Sequence, residues 1–339
     1  MSGRSQGNVW GKRVGKLVLV LVSIPLLWWT FRQVPFSQVW ITLRQVAGAQ
    51  VGLWLIFNAG LVILMTGRWW MILRALGYRL PYLALTEYRL AAFAVSYFTP
   101  GPQFGGEPVQ VLALRQRHQV PGTTGTASVG LERLLDLIAN FSFLVIGMVL
   151  ALVGTQLPGF GRTPGVIFAV GLLVIPLGYL ILMLGGQRPL GAMIGRLPTR
   201  LRQNRFVLML QEVESEMSYF CLAYPTTVLA ASLVSLCSWA GMVFEFWLLA
   251  RILGLDLSLI QAVSALVAAR MAFLAPLPGG LGVLEASQVM AMQTLGVDPS
   301  YGISISLLIR LRDVLFGVGG LLVVLWIARG RRLPDVRNH

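Results

Sequence analysis

Six long and continuously apolar stretches divide this chain, and they constrain its fold more than any other feature of the sequence. A bilayer's hydrocarbon core is about 30 Å thick, and a helix needs roughly 20 mostly apolar residues to cross it. Outer-membrane barrels show alternating segments of about ten residues instead. The sequence therefore predicts an all-α integral membrane protein with about six transmembrane helices. The stretches are 14–31, 51–74, 126–152, 165–184, 225–250 and 302–328.

Composition and charge agree with this class. Hydrophobic residues are 56% of the 339 residues and charged residues only 12%, which is too little polar surface to coat a soluble globule of this size. The net charge is +14, but the basic residues cluster beside apolar stretches, at 4–16, 188–205 and 329–337. No single basic patch carries interleaved aromatic residues, so we expect no nucleic acid as a partner. The positive-inside rule predicts that all three clusters are cytoplasmic.

The first apolar stretch begins like a signal peptide, yet Trp28, Trp29 and Phe31 stand where a small-residue cleavage site would be. We interpret it as a retained helix of a multi-pass protein in the cell (cytoplasmic) membrane. Cys221 and Cys237 are the only cysteines, and both lie in or next to apolar sequence. The sequence therefore predicts no disulfide framework, no metal site and no cofactor.

The chain also repeats itself at an offset of 177 residues. Apolar matches mean little in so apolar a chain, but ionisable residues in or beside spans are costly, so matches between them are informative. The offset predicts two repeats, 51–152 and 225–328. Trp70, Arg74, Leu76, Gly77, Leu80, Arg133 and Asp136 recur as Trp247, Arg251, Leu253, Gly254, Leu257, Arg310 and Asp313.

Each repeat contains a segment broken by proline and glycine, at 98–110 and at 275–288. The flanks are too short or too polar for full spans, and irregular backbone at membrane depth persists only where protein or a water-filled cavity satisfies it. We therefore predict re-entrant helical hairpins at 82–118 and 258–295. The alternative is a pair of interfacial loops in which proline and glycine merely end helices.

Counting crossings from a cytoplasmic N-terminus makes the repeats inverted. The first hairpin then opens from the cytoplasm and the second from outside, and both termini and the loop 188–205 are cytoplasmic. The predicted organisation is 1–50 (cytoplasmic tail, first transmembrane helix and external loop), 51–152 (repeat 1), 153–224 (connecting transmembrane helix and cytoplasmic basic segment), 225–328 (repeat 2) and 329–339 (cytoplasmic tail).

Candidate binding residues lie in the two hairpins. A helix that restarts after a proline and glycine break aims its N-terminal amides at the hairpin tip, where an anion such as phosphate would bind. A carboxylate at this depth is either paired with arginine or partly protonated, so the glutamates either serve transport or form structural ion pairs. The two arginines inside hairpin helices either line a polar path or snorkel to the headgroups. The candidates are Arg89, Pro100, Gly105, Gly106, Glu107, Arg270, Pro278, Gly279, Gly280, Gly282 and Glu285.

Two further pairs complete the set: Arg133 with Asp136, and Arg310 with Asp313. Three positions place each pair on one helical face, where a mutual salt bridge is the simplest interpretation. The arginines are the stronger binding candidates, because a guanidinium matches a phosphate with two parallel hydrogen bonds.

Symmetry adds a geometric expectation. Equivalent hairpin tips of an inverted repeat meet near mid-membrane, so Glu107 and Glu285 should lie on one protein-lined cavity, within about 20 Å of each other and well under the roughly 30 Å hydrocarbon thickness. Arg133 and Arg310 should lie beside the same cavity.

Three motifs together, PGPQFGGE at 100–107, ERLLD at 132–136 and PLPGGLGVLE at 276–285, resemble the flippase-like family named for the transmembrane domain of lysylphosphatidylglycerol synthases. The resemblance covers about 50–328. One departure is that Pro100, Gly101, Pro102 and Gln103 stand where the family usually has Pro-Gly-Gly. The resemblance implies a translocase for lipids or lipid-linked groups, such as aminoacylated phosphatidylglycerol or polyprenyl-phosphate-linked sugars. It does not imply synthase activity, since the sequence ends at His339, soon after the last span.

Three functions stay open at this point. The chain is a translocase for an anionic lipid or lipid-linked headgroup, or a membrane-embedded lipid-modifying enzyme with Glu107 or Glu285 as acid or base, or a non-transporting partner of a glycosyltransferase or lipid synthase. We favour the translocase and expect no enzyme, because the sequence has no metal-ligand cluster, nucleophile and histidine pair or nucleotide motif. Membrane lipids are the expected partners.

Overall fold

The computed structural model describes residues 36–98, 105–154, 163–196, 198–274 and 280–328. Within these ranges the chain forms helices and no strands, which confirms the predicted all-α class. The helices are α1 (Phe36–Arg44), α2 (Gly48–Ala75), α3 (Tyr82–Phe98), α4 (Glu107–His118), α5 (Gly122–Gly154), α6 (Thr163–Leu184), α7 (Pro189–Ile194), α8 (Thr199–Arg202), α9 (Arg205–Ala223), α10 (Pro225–Ile252), α11 (Leu259–Ala272), α12 (Val283–Thr294) and α13 (Pro299–Ala328).

Long helices occupy five of the six predicted apolar stretches. Four of them, α2, α5, α6 and α10, are long and apolar enough to cross a membrane. Helix α13 covers the stretch 302–328 and has 30 residues, but Arg310, Arg312 and Asp313 interrupt its apolar sequence. The first predicted span, 14–31, lies outside the described residues.

The outer surface of the helix bundle is apolar. Ile56 is 70% exposed, Ile175 is 73% exposed and Leu322 is 64% exposed. A water-soluble monomer rarely exposes large contiguous apolar patches, whereas lipid tails solvate such side chains without cost. The chain is therefore a membrane protein.

Two pairs of short helices flank the proline and glycine segments. Helices α3 and α4 pack against each other, and so do α11 and α12. The longest of the four, α3, has 17 residues and spans about 26 Å at 1.5 Å per residue, which is short of the roughly 30 Å hydrocarbon core. The connections at 99–104 and 275–279 lie outside the described residues.

The 177-residue offset is also visible in the backbone. Helix α2 ends with Gly77 at a φ of 92°, and the Tyr78 amide donates to the Leu73 carbonyl at 2.9 Å. Helix α10 ends with Gly254 at a φ of 82°, and the Leu255 amide donates to a carbonyl at the same 2.9 Å. Both ends are Schellman motifs, in which a left-handed glycine closes the last turn.

The equivalent helices α2 and α10 pack against each other and run antiparallel. Arg68 donates to the Ser235 hydroxyl at 2.8 Å, and Asn58 donates to Glu245 at 3.3 Å. The offset of 177 carries position 58 to 235 and position 68 to 245, so it exchanges the two contacts. The offset therefore relates these two contacts between α2 and α10 to each other.

The short helices pack across the halves in the same reciprocal way. Helix α3 lies along α13, and its equivalent α11 lies along α5. The contact between α3 and α13 is close at Gly320, where an added Cβ would overlap the Leu90 carbonyl oxygen and lie 2.8 Å from the Ala94 Cβ. Only glycine lets the two backbones approach this closely.

We expect Gly320→Ala to destabilise the protein and Gly319→Ala to leave its stability unchanged or slightly higher. The alanine at 320 forces α3 away from α13, an overpacking change that costs about 1–3 kcal/mol. A Cβ at Gly319 meets no atom within 4 Å, so alanine there only improves helix propensity. Thermal unfolding of the two purified variants measures the difference, and equal midpoints would contradict this close contact.

Candidate functional site

A cavity of about 350 Å³ lies inside the bundle, between helices of both halves. Its apolar wall includes Leu61, Phe93, Phe141 and Phe316. Four arginines and four carboxylates face it, which is a dense concentration of charge for the interior of a membrane protein. The charged and amide residues that line it are Asn58, Arg89, Glu107, Gln110, Glu132, Arg133, Asp136, Asn140, Arg270, Arg312 and Asp313.

On one side of the cavity, Glu132 of α5 accepts hydrogen bonds from two arginines. Arg68 of α2 donates at 2.7 Å and Arg89 of α3 donates at 2.5 Å. Arg68 is 2% exposed and also contacts Asp136 at 3.2 Å. These ion pairs connect α2, α3 and α5. A buried charge of either sign is costly unless its partner stays in place, so the three helices are held in one arrangement.

On the other side, Glu245 of α10 is the common acceptor. The Trp54 indole donates to it at 2.7 Å, and Arg312 of α13 donates at 3.2 Å. Arg312 also pairs with its neighbour Asp313 at 2.9 Å. This group connects α2, α10 and α13.

The predicted glutamates each pair with a predicted arginine. Glu107 lies 3.4 Å from Arg133, and about 30% of each side chain is exposed. Glu285 is bonded to Arg310, with exposures of 2% and 15%. The two pairs occupy equivalent places in the repeats but differ in environment. Glu107 and Arg133 line the cavity, whereas Glu285 and Arg310 are more deeply buried and do not line it.

The predicted pairs three residues apart behave differently in the two halves. Arg133 donates to Asp136 at 3.3 Å, so this mutual salt bridge is present. Arg310 pairs instead with Glu285, and Asp313 pairs with Arg312. The spacing of three residues therefore predicted the ion pair of Arg133 with Asp136 correctly, but it did not predict the partners of Arg310 and Asp313.

Three glycines of the broken segments have backbone conformations in the left-handed region. Gly105, Gly280 and Gly282 have φ of 122°, 63° and 80°, values that only glycine adopts readily. The Gly106 amide donates to Ser96 at 2.9 Å, which ties the start of α4 to α3. Pro100, Pro278 and Gly279 lie outside the described residues.

The cavity brings together only part of the predicted site. Arg89, Glu107, Arg133, Asp136, Arg270 and Asp313 line it. Glu285 and Arg310 are not among its lining residues, although Tyr97, which lines it, contacts Arg310. We expected both glutamates to line one cavity, and of the two only Glu107 is among its lining residues.

Arg270 is the cavity arginine with the weakest partners. Its Nη2 donates to the Met242 sulfur at 2.8 Å, and its guanidinium lies 4.8 Å from the Trp239 ring centre. In the part of the chain that the structure describes, no carboxylate oxygen lies within 4.0 Å of it. Trp239 Nε1 is itself buried without an acceptor. A thioether is a weak acceptor, so this corner of the cavity has donors available for an anion.

The sequence analysis did not select Glu132, Glu245 or Arg312. Their position inside predicted spans was the available signal, because ionisable residues there are rarely neutral to function. The repeat comparison passed over them because their counterparts at the offset of 177 are Ile309, Arg68 and Leu135, none of which has the same charge.

We expect Glu132→Ala to destabilise the protein far more than Glu107→Ala. Removing Glu132 leaves the guanidinium of Arg89 without its carboxylate and leaves the buried Arg68 with Asp136 alone, at a cost of about 3–5 kcal/mol. Removing the part-exposed Glu107 breaks a looser pair, with an effect below about 1 kcal/mol. Monodispersity and thermal unfolding in detergent measure both variants. Similar stability would mean that water or lipid replaces the Glu132 carboxylate.

Comparison with known proteins identifies the family. The family described as the lysylphosphatidylglycerol synthase TM region matches residues 16–320. A UPF0104 membrane protein from Methanothermobacter thermautotrophicus is 24% identical over an alignment of 266 residues, which covers 74% of this chain and 77% of that protein. The chain belongs to the lysylphosphatidylglycerol synthase TM region family, which confirms the resemblance seen in its motifs.

Proposed function

We propose that this family member is a membrane translocase that binds the anionic group of a lipid or lipid-linked headgroup in the central cavity. The observation that carries the proposal is Arg270, a cation that faces the cavity from α11 with a thioether and an aromatic ring as its neighbours. The other cavity arginines each have a carboxylate within 3.4 Å. An anion at Arg270 would complete the pairing.

The walls of the cavity suit an amphipathic ligand. A volume of about 350 Å³ lies within the roughly 300–1,000 Å³ range of small-molecule sites. A phosphate at Arg270 would accept hydrogen bonds from the guanidinium, with the Trp239 indole as a further donor. Phe93, Phe141 and Phe316 offer apolar contact to the glycerol and the first acyl carbons. Only the headgroup has to fit into the cavity, because the acyl chains can remain in the surrounding lipid.

The proposal includes inverted repeats with two re-entrant hairpins. Antiparallel packing of α2 on its equivalent α10 supports inversion, since a two-fold axis in the membrane plane reverses the direction of equivalent helices. The shortness of α3, α4, α11 and α12 supports hairpins that return to the face they entered. The charge clusters would place the first hairpin opening, both termini and the loop 188–205 in the cytoplasm.

The unequal environments of the two equivalent ion pairs support alternating access. Glu107 and Arg133 are partly exposed to the cavity, whereas Glu285 and Arg310 are sealed. Inverted repeats can exchange conformations, and the exchange turns a cavity open to one face into a cavity open to the other. In the second state, Glu285 and Arg310 would face the cavity and the first pair would be sealed.

An enzyme acting on the same lipids is the second candidate, with Glu107 as acid or base because it faces the cavity. We propose transport without covalent chemistry, since each cavity carboxylate is engaged by an arginine rather than held ready for proton transfer. Product analysis after incubation with pure protein separates the two, because transport leaves the covalent structure of the lipid unchanged.

We expect Arg270→Ala to lower lipid translocation at least tenfold while the protein stays folded, because the anion loses its strongest partner, worth about 1.5–3 kcal/mol. Proteoliposomes with a panel of labelled lipids measure leaflet exposure. Arg270→Lys should retain part of the activity, since it keeps the charge and loses the planar fork. Arg251→Ala, an exposed arginine that does not line the cavity, is the matched control. Full activity of Arg270→Ala would contradict the proposed binding site.

We expect a cysteine at position 200 to be inaccessible from outside intact cells and a cysteine at position 256 to be accessible. The experiment places Arg200→Cys or Asp256→Cys in a Cys237→Ser background, because Cys237 is exposed and Cys221 is buried. A membrane-impermeant thiol reagent reports the side. Labelling of position 200 in intact cells would overturn the proposed orientation.

A further inference from the structure

A second cationic site lies at the end of α2, where Trp70, Arg74 and Arg79 line a pocket of about 320 Å³ together with Leu80 and Pro81. The Arg74 guanidinium lies over the Trp70 ring, 4.9 Å from its centre. Both arginines are exposed. None of these residues lines the central cavity, so this pocket is a separate feature of the molecule.

The second repeat contains a copy of this site that serves as an internal comparison. Arg251 lies over the Trp247 ring at 5.0 Å, in the same arrangement. The same Schellman turn follows in both repeats, so the backbone carries the next residues to equivalent places. Leu80 and its equivalent Leu257 are both buried beneath the turn.

The two copies differ in one charge. In the second repeat, Arg251 pairs with Asp256 at 2.7 Å, and the copy is neutral. The offset of 177 places Arg79 where the second repeat has Asp256. The first copy therefore holds two cations in one pocket. Within the described residues, neither Arg74 nor Arg79 has a carboxylate within 4.0 Å.

We propose that Trp70, Arg74 and Arg79 bind the phosphate of an anionic phospholipid at the membrane surface. Two like charges in one pocket repel each other, and a phosphodiester between them turns the repulsion into attraction. The Trp70 ring is amphipathic, and tryptophan is enriched at the headgroup level of membranes. The pocket wall of Leu80 and Pro81 gives the glycerol region apolar contact.

The charge difference fits the sidedness of the membrane. In the proposed orientation the site of Trp70 faces the cytoplasmic leaflet, whose anionic lipids attract basic side chains. The neutral copy with Asp256 faces the outer side. This inference concerns binding alone, so it holds for a protein that moves no lipid as well as for a translocase.

Native mass spectrometry of the full-length protein in detergent tests the site, with phosphatidylglycerol as the probe and phosphatidylcholine as the neutral comparison. We expect Arg79→Asp to weaken one phosphatidylglycerol binding event by about tenfold or more, since the substitution removes a basic side chain near the surface and adds a charge that repels the lipid. Asp256→Arg should create one additional binding event in the second repeat. Arg270→Ala, in the central cavity, should leave the event that depends on Arg79 unchanged.

The gain in Asp256→Arg protects the test against misfolding, because a damaged protein does not acquire a selective lipid site. Unchanged phosphatidylglycerol binding in both variants would overturn the inference, and so would an equal loss of phosphatidylcholine in Arg79→Asp. A third arm adds excess glycerol 3-phosphate or inorganic phosphate to the wild-type protein. Persistence of bound phosphatidylglycerol supports a lipid site, whereas its displacement would show a site for soluble phosphate and overturn the lipid assignment.

Discussion

The pairing of charges inside the bundle is the constraint on which the rest of this structure depends. A lone carboxylate or guanidinium in a low-dielectric interior is expensive, so a buried charge is stabilised by a partner of opposite charge. Glu132 holds arginines from α2 and α3, and Glu245 holds an arginine from α13. Helices that share a buried ion pair cannot separate or rotate independently, so the pairs determine which helices move together.

The two halves use this constraint with reversed charges. The offset of 177 places Glu245 where the first half has Arg68. Arg68 pairs with carboxylates of α5, and Glu245 pairs with Arg312 of α13, the equivalent helix. Arg312 corresponds to Leu135 at this offset, so the two ion pairs join equivalent helices through different positions.

The sequence predicted the long helices well, because a continuous run of roughly 20 apolar residues has few alternatives to a membrane span. It also predicted the positions of the short helices, since clusters of proline and glycine at 98–110 and 275–288 interrupt the helical sequence. The sequence did not predict which charged residues form ion pairs with each other. Arg310 pairs with Glu285 rather than Asp313, and this depends on how α12 is seated against α13. That contact is set by packing, such as Gly302 against the Gln288 backbone, which no spacing along the chain reveals.

The lack of a carboxylate close to Arg270 is informative because each of the neighbouring charged residues has a partner of opposite charge. Arg312 repels the Arg270 guanidinium, while Glu245, Asp136 and Asp313 attract it from beyond contact distance. The surrounding carboxylates are engaged by their own arginines, so none can approach without abandoning a buried partner. The ion-pair network that holds the helices therefore also keeps one cation available in the cavity. An anion that arrives there gains a partner without breaking an existing pair, and it can leave at equally small cost to the network. Weak and reversible binding of this kind is what the proposed translocation would require.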